Sequence, residues 1–264
     1  MKAIIQLIIP SAVIILTSAC GGKQDSTSKS VETNHKELIF SGKESIEAHV
    51  AAIDNDQELV PANSLMYSHP DGSTAEATAY LDQKETIMKI EERFNDAKTG
   101  NFGRRIFYFE NGKRILTKEI YQDNTLKKPA FVERQSFYDK NDKIQYSQVR
   151  EAEFEENLEM CTFRMTEAVD CPVKRAMQIL NQEGPFATTF QGFVSGGDMD
   201  FLIVGEDVPE GYTSSLAIQH KEGDIQKLLA NQRAYVGKKL KVQFERMVDH
   251  RDMEFQVLLA LSID

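Results

Sequence analysis

An asparagine followed by glycine, set between aromatic and β-branched residues, leaves the backbone few options. Asn111-Gly112 stands between Phe107-Tyr108-Phe109 and Ile115-Leu116. A two-residue hairpin turn of the favoured hand needs positive φ at both central positions, and this pair takes it at little cost. The pattern recurs on either side. Tyr80-Leu81 leads through Asp82-Gln83-Lys84 towards Ile87 to Ile90, and Phe137-Tyr138 runs through Asp139 to Lys143 into Ile144. The turn centres fall near residues 83, 112 and 141, about 29 residues apart. A chain punctuated in this way is expected to be mainly β with few helices, its hairpins joined into an antiparallel meander.

Polar and apolar residues alternate in these segments. Met88, Ile90 and Phe94 are expected on one face and Lys89, Glu91 and Arg93 on the other, so that one face is buried and the other wet. Six strands follow from the three hairpins, and Ala152 to Met165 offers a seventh. A meander this long must curl, close into a barrel or be covered, because its edges otherwise template aggregation. A short amphipathic helix is the candidate cover: Ser45 precedes Ile46, Val50 and Ile53 at helical spacing, and Asn55 ends the run. The aromatic positions Phe94, Phe107, Phe109, Tyr121, Phe131 and Phe137 have two readings. They line a cavity for a hydrophobic ligand, as in lipocalin-like barrels, or they are core.

Beyond Pro172 the order of elements changes. Val173 to Asn181 carries Ala176, Met177, Ile179 and Leu180 at helical spacing, and Gly184-Pro185 stops it. Strands are expected at Thr189 to Val194, Phe201 to Val204 and Ser215 to Ile218, then a helix from Gly223 to Gln232, then strands at Leu240 to Phe244 and Phe255 to Ile263. Three strands, a helix and two strands, with the phrase Tyr235 to Phe244 entering the fourth strand, resemble the OB-fold, a five-stranded Greek-key barrel. The expected architecture is therefore a β-meander, as curved sheet or barrel, over residues 36–165 and a small OB-like barrel over residues 172–264.

OB-folds often bind single-stranded nucleic acid in a positive groove. Here the segment Val173 to Asp264 holds thirteen acidic against ten basic residues, and the whole chain carries a formal charge of −10. Phosphate neutralisation is not what such a surface offers, so no nucleic-acid partner is expected. Lys238, Lys239 and Lys241 are read as a solvated strand edge.

The amino terminus is an address. After Lys2, an uncharged stretch from Ala3 to Leu16 precedes the small residues Thr17-Ser18-Ala19. It is too short to span a bilayer, which takes about 20 apolar residues. Cys20 follows, then Gly21-Gly22. These residues resemble the signal of bacterial lipoproteins, although Leu16 lies one place further from the cysteine than usual. The resemblance implies removal of residues 1–19, lipidation of Cys20, and a flexible tether over residues 20–35. An ordinary cleaved signal with a free Cys20 is the alternative. Gly21 rather than aspartate after the cysteine implies, by the same resemblance, the outer membrane, and the GGKQDS phrase is similar to tails of Bacteroidota lipoproteins, some of them surface-exposed, so the protein is expected to face the periplasm or the cell surface. In an oxidising compartment the remaining Cys161 and Cys171 are expected to form a structural disulfide.

A search for chemistry finds little. None of the five histidines stands at a metal-binding spacing. Asp54 to Glu58 imitates a calcium loop but has Leu59 where glycine is required and Leu65 where the closing glutamate belongs. Ser195 misses the nucleophile-elbow spacing by one residue, and a turn accounts for Gly-Gly-Asp198 beside Asp200. No catalytic residue, metal or cofactor is expected. A β-rich amino-terminal part joined to an OB-like part distantly resembles the envelope-stress lipoprotein family NlpE, whose Cys-x-x-Cys is missing here. The expected function is a non-catalytic, membrane-anchored interaction, sensor or structural module with an envelope protein as partner. The alternative is a carrier of a hydrophobic ligand bound by Phe94, Phe107, Phe109, Tyr121 and Phe137, and an enzyme comes last.

Overall fold

Each turn anticipated from the sequence closes a hairpin. The structure, a computed structural model, describes residues 31–197, 199–250 and 252–263, with side chains from residue 42 onward. The signal, Cys20, the tether up to residue 30 and Asp198 lie outside the described residues. The hairpins pair β3 (Thr74–Leu81) with β4 (Ile87–Asp96), β5 (Asn101–Glu110) with β6 (Lys113–Asp123), and β7 (Ala130–Tyr138) with β8 (Ile144–Ala152). Asn111 and Gly112 take φ of +52° and +73°, the left-handed values that the two-residue turn demands. The two longer turns are each organised by one aspartate. Asp82 Oδ1 accepts from the amides of Lys84 and Thr86, and Asp139 Oδ1 accepts from those of Asn141 and Lys143. The carboxylates thus satisfy amides that a tight reversal would leave without partners.

A register shift accompanies every one of these turns, between Tyr80 and Leu81, Tyr108 and Phe109, and Phe137 and Tyr138. Such bulges increase twist and re-aim side chains. The first turns Met88 away from Ile90 and Phe94: Met88 packs against the apolar cluster beneath the amino-terminal helix, where strict alternation had placed it with the other two. That helix, α1, runs over Val31–Asn55, starting well before Ser45. Its Val50 and Ile53 are buried with Tyr108, Ile115, Leu116 and Phe137 on one face of the meander.

Among the described residues fourteen strands hydrogen-bond into one sheet. β1 (Val60–Asn63) and β2 (Tyr67–Ser68) both pair with β3, and the carboxy-terminal strands join through β2. Those strands are β10 (Thr189–Gly196), β11 (Met199–Gly205), β12 (Thr213–Ile218), β13 (Leu240–Val248) and β14 (Glu254–Ile263). β10, β11 and β12 are antiparallel neighbours, β14 lies parallel to β12, and β13 is antiparallel to β14. A bridge from Thr189 to Lys239, with Phe190 N bonded to Lys238 O at 2.8 Å, brings the start of β13 back beside β10. This is the strand order of an OB-like barrel. The sheet as a whole does not close: β12 pairs with β14 at Ala217 and Ile218 and with β2 at Thr213, so the sheet forks there.

The larger core fills that fork. Ala75, Ala77 and Ala79 of β3 present a row of small residues to α2 (Lys174–Asn181), whose Ala176 and Ile179 are completely buried. Phe107, Phe186, Phe190, Leu202 and Leu216 complete the same cluster, so one core serves the meander and the carboxy-terminal strands together. α3 (Asp224–Ala230) adds Leu228, and α4 (Gln232–Tyr235) leads on to β13.

Two expectations are corrected. Residues 152–165 are not a seventh long strand: Glu155–Met160 form a 3-10 turn, and β9 is only Arg164–Met165. The sequence Glu155-Glu156-Asn157-Leu158-Glu159 lacks two-residue alternation, and it lowers the single apolar Leu158 into the protein. Cys161 and Cys171 are free thiols, not a disulfide. Each is held by neighbours of its own. The Cys161 amide caps the 3-10 turn on Leu158 O at 3.0 Å, while the Cys171 carbonyl accepts from Arg114 Nη1 at 2.6 Å. Arg114, which also bonds Asp142 and Asp170 and lies 3.8 Å over the Tyr138 ring, ties the segment at Cys171 to β6 and to the turn between β7 and β8.

Candidate functional site

Pairing register places four charged residues in one row across the α2 side of the sheet. Ala77 faces Glu92, Glu92 faces Arg105, Arg105 faces Glu119, and Glu119 faces Arg134. The signs alternate, so every charge has opposite neighbours at cross-strand distance. Glu92 is almost wholly enclosed, its side chain 1% exposed. Its Oε1 accepts from Arg105 Nη1 at 3.2 Å and also from Arg175 Nη1 of α2, while its Oε2 is buried without a partner. Arg105 reaches Glu119 with its Nε at 3.4 Å, and its guanidinium lies 4.1 Å from the centre of the Phe94 ring. Arg175 donates to the Tyr212 hydroxyl at 3.4 Å.

Above this row opens a cleft of about 590 Å³. Arg105, Glu119 and Arg175 form its charged floor, Phe94, Tyr121 and Tyr212 its aromatic walls, and the turns after β2 and β4 its rim. On the rim, His69 Nδ1 and Asp71 Oδ1 are 2.8 Å apart, and the imidazole packs against Tyr212 with centroids at 5.1 Å. The amide of Ser73 donates to Asp71 Oδ1 at 2.8 Å; that bond, helped by the Ser73 side chain and His69, lowers the Asp71 carboxyl to about 2. Burial raises the Tyr121 hydroxyl, opposed by the Arg134 charge. Near the floor, the Cys171 thiol is pushed up to about 12, first by burial and then by the Glu119 charge. The arrangement is a set of fixed donors, acceptors and ring faces.

Gly103 lies between Phe94 and Tyr121 in the next cross-strand row. A Cβ there would meet Ile120 O at 2.2 Å and Tyr121 Cα at 2.5 Å, so only glycine permits β5 and β6 to approach this closely. The position between the two rings consequently carries no side chain.

The aromatic residues expected to share a cavity are dispersed. Phe94 and Tyr121 line the cleft; Phe107 is wholly buried in the main core, and Phe109 packs against that core. Phe137 lies on the opposite face beneath α1, and Phe131 meets Phe102 edge to face. Elsewhere, Asp54 bonds the Tyr108 hydroxyl at 2.9 Å and Lys89 at 3.0 Å. At an exposed hairpin, Ser195 donates to Asp200, which also pairs with Lys221. Among the described residues no group of three or more His, Cys, Asp or Glu is placed to hold a metal ion, and no helix is long and apolar enough to cross a membrane.

Glu92, Arg105, Glu119, Arg175 and Tyr212 were not singled out from the sequence. One signal was present but incomplete: counted from Asn111-Gly112 alone, Arg105 would face Lys118, and the register shift between Tyr108 and Phe109 moves it opposite Glu119. Arg175 and Tyr212 come from elements whose docking no local pattern encodes. Comparison with protein-family models, with curated proteins and with solved structures finds no match to this chain.

Proposed function

We propose that this chain is a lipid-anchored envelope protein that acts as a non-catalytic binding module, held at the outer membrane through Cys20 and presenting the cleft above the Glu92–Arg105–Glu119 row. The observation that carries the binding role is the cleft: three aromatic side chains and several planar polar groups converge on one concave surface of the sheet. The anchor rests on the uncharged run Ala3 to Leu16, the small residues before Cys20 and the polar tether after it. Three acyl chains supply many buried methylenes at about 0.8 kcal/mol each, ample for stable attachment. An apolar carrier is the less favoured reading, because Phe107 is core and Phe137 lies on the other face.

The test is an intact mass of the protein extracted from its own membrane, measured under native and then denaturing conditions. A chain beginning at Cys20 with an acyl increment is expected, and a bare polypeptide beginning at Cys20 would sink the anchor. Amide chemical-shift changes of the cleft residues on adding envelope extracts test the binding role, and none with any extract would remove it.

A further inference from the structure

The cleft's walls say more about its ligand than that one binds. We infer that it takes a neutral, polyhydroxylated ligand, a sugar chain, and not an anion, a cation or a lipid; this rests on the cleft being the binding site.

Charge is the first argument. The cations on the lining, Lys98, Arg105 and Arg175, are matched in number by Asp71, Asp96 and Glu119. The guanidiniums are moreover engaged already: Arg105 with Glu92 and Glu119, and Arg175 with Glu92. A phosphate or carboxylate ligand would have to compete with those carboxylates, and an ammonium ligand with those guanidiniums. An acyl chain would strip water from the same charged groups without replacing their hydrogen bonds. A neutral ligand rich in hydroxyls avoids both costs, because each hydroxyl both donates and accepts.

Shape is the second. Phe94 and Tyr121 flank Gly103 on successive strands. With strands about 4.8 Å apart, the two aromatic positions stand roughly 10 Å from one another; the position between them carries no side chain, and the Arg105 guanidinium covers one side of the Phe94 ring at 4.1 Å. The aliphatic C–H face of a sugar ring can pack on the Tyr121 ring and reach towards the sheet at Gly103. The amides on the rim complete the match. Asn95 uses Nδ2 on Gly72 O at 3.1 Å, and Asn101 uses Oδ1 on the Asn124 amide at 2.8 Å. Each carboxamide carries both a donor and an acceptor, the two functions that a hydroxyl pairs with.

The experiment titrates the mature, acylated protein in detergent with neutral gluco-, manno-, xylo- and chito-oligosaccharides, with oligogalacturonate as the anionic control and with uridine and a tripeptide as other small polar ligands, followed by amide chemical shifts. The expected result is saturable binding of at least one neutral series, with shifts at Phe94, Asn101 and Tyr121 and weaker binding of the anionic control. Tyr121→Ala is expected to weaken that binding at least tenfold and Tyr121→Phe less than threefold, since the phenyl face remains. If Tyr121→Ala does not fold, Asn101→Ala at the rim is the second variant, with an expected weakening of at least threefold. Stronger binding of oligogalacturonate, or unchanged affinity in the Ala variants, would overturn the inference. Cleft shifts with uridine or the tripeptide alone would overturn the sugar while leaving the binding module intact. Silence from every probe and every extract would overturn both.

Discussion

Replacing Glu92 by glutamine keeps the shape of the side chain and removes the charge that two arginines share. Oε1 of Glu92 accepts from Arg105 and from Arg175, and hydrogen bonds to charged groups contribute about 1.5–3 kcal/mol each. The arginine side chains are 26% and 34% exposed, so solvent screens part of that and about half is the better figure. A glutamine carbonyl still accepts, but its amide must then occupy the place of Oε2, which is buried without a partner. Two orphaned N–H groups there cost about 1 kcal/mol or more. The expected loss is about 2–3 kcal/mol, read as a fall of roughly 1 M in the urea midpoint at a slope near 2 kcal/mol/M. A double-mutant cycle with Arg175→Met is expected to give a coupling of about 1 kcal/mol, because Arg175 ties α2 to the sheet through Glu92. A loss below about 0.5 kcal/mol for Glu92→Gln, or no coupling, would refute the view that this row fixes the cleft floor.

Three further outcomes follow from the geometry. Gly103→Ala is expected to cost about 2–3 kcal/mol, at the upper end for overpacking, because the added carbon meets backbone of β6 and not a mobile side chain; a urea midpoint equal to that of the parent would refute it. The two thiols are expected to differ in the native protein, with a disulfide-exchange reagent at pH 8 modifying half-buried Cys161 quickly and Cys171 only as fast as the chain unfolds. Since the folded Cys171 thiol is pushed up to about 12 from 9.0, its contribution to stability is present below about pH 9 and is lost as pH rises towards 12. Equal native labelling rates, or a Cys171→Ala protein with the same loss of stability over that window, would remove this account.

The parts of the fold legible in the sequence were those written by neighbours in the chain. Positive φ at Asn111 and Gly112, the aspartates that open the turns at Asp82 and Asp139, and the helical spacing of Ala176 and Ile179 each act over a few residues. They placed the meander strands, α2 and the five carboxy-terminal strands in order. Errors arose where alternation was disturbed: a bulge turned Met88 to the other face, and the glutamate-rich stretch after Ala152 made a 3-10 turn.

The three hairpins and the signal-like run before Cys20, on which the proposed anchor rests, are read from the sequence alone, since each depends on local spacing and backbone preference. Tertiary structure decided which side chains meet. The cross-strand register set Glu92, Arg105, Glu119 and Arg134 in one alternating row, and the seating of α2 on the alanines of β3 delivered Arg175 from 83 residues away in the chain. The fork at β12 brought Tyr212 to the opposite wall, and the core claimed Phe107 while leaving Phe94 and Tyr121 at the surface of the cleft. A site assembled from long-range pairings leaves only faint marks in the sequence, because every residue in it satisfies its local rule equally well on either face of the sheet.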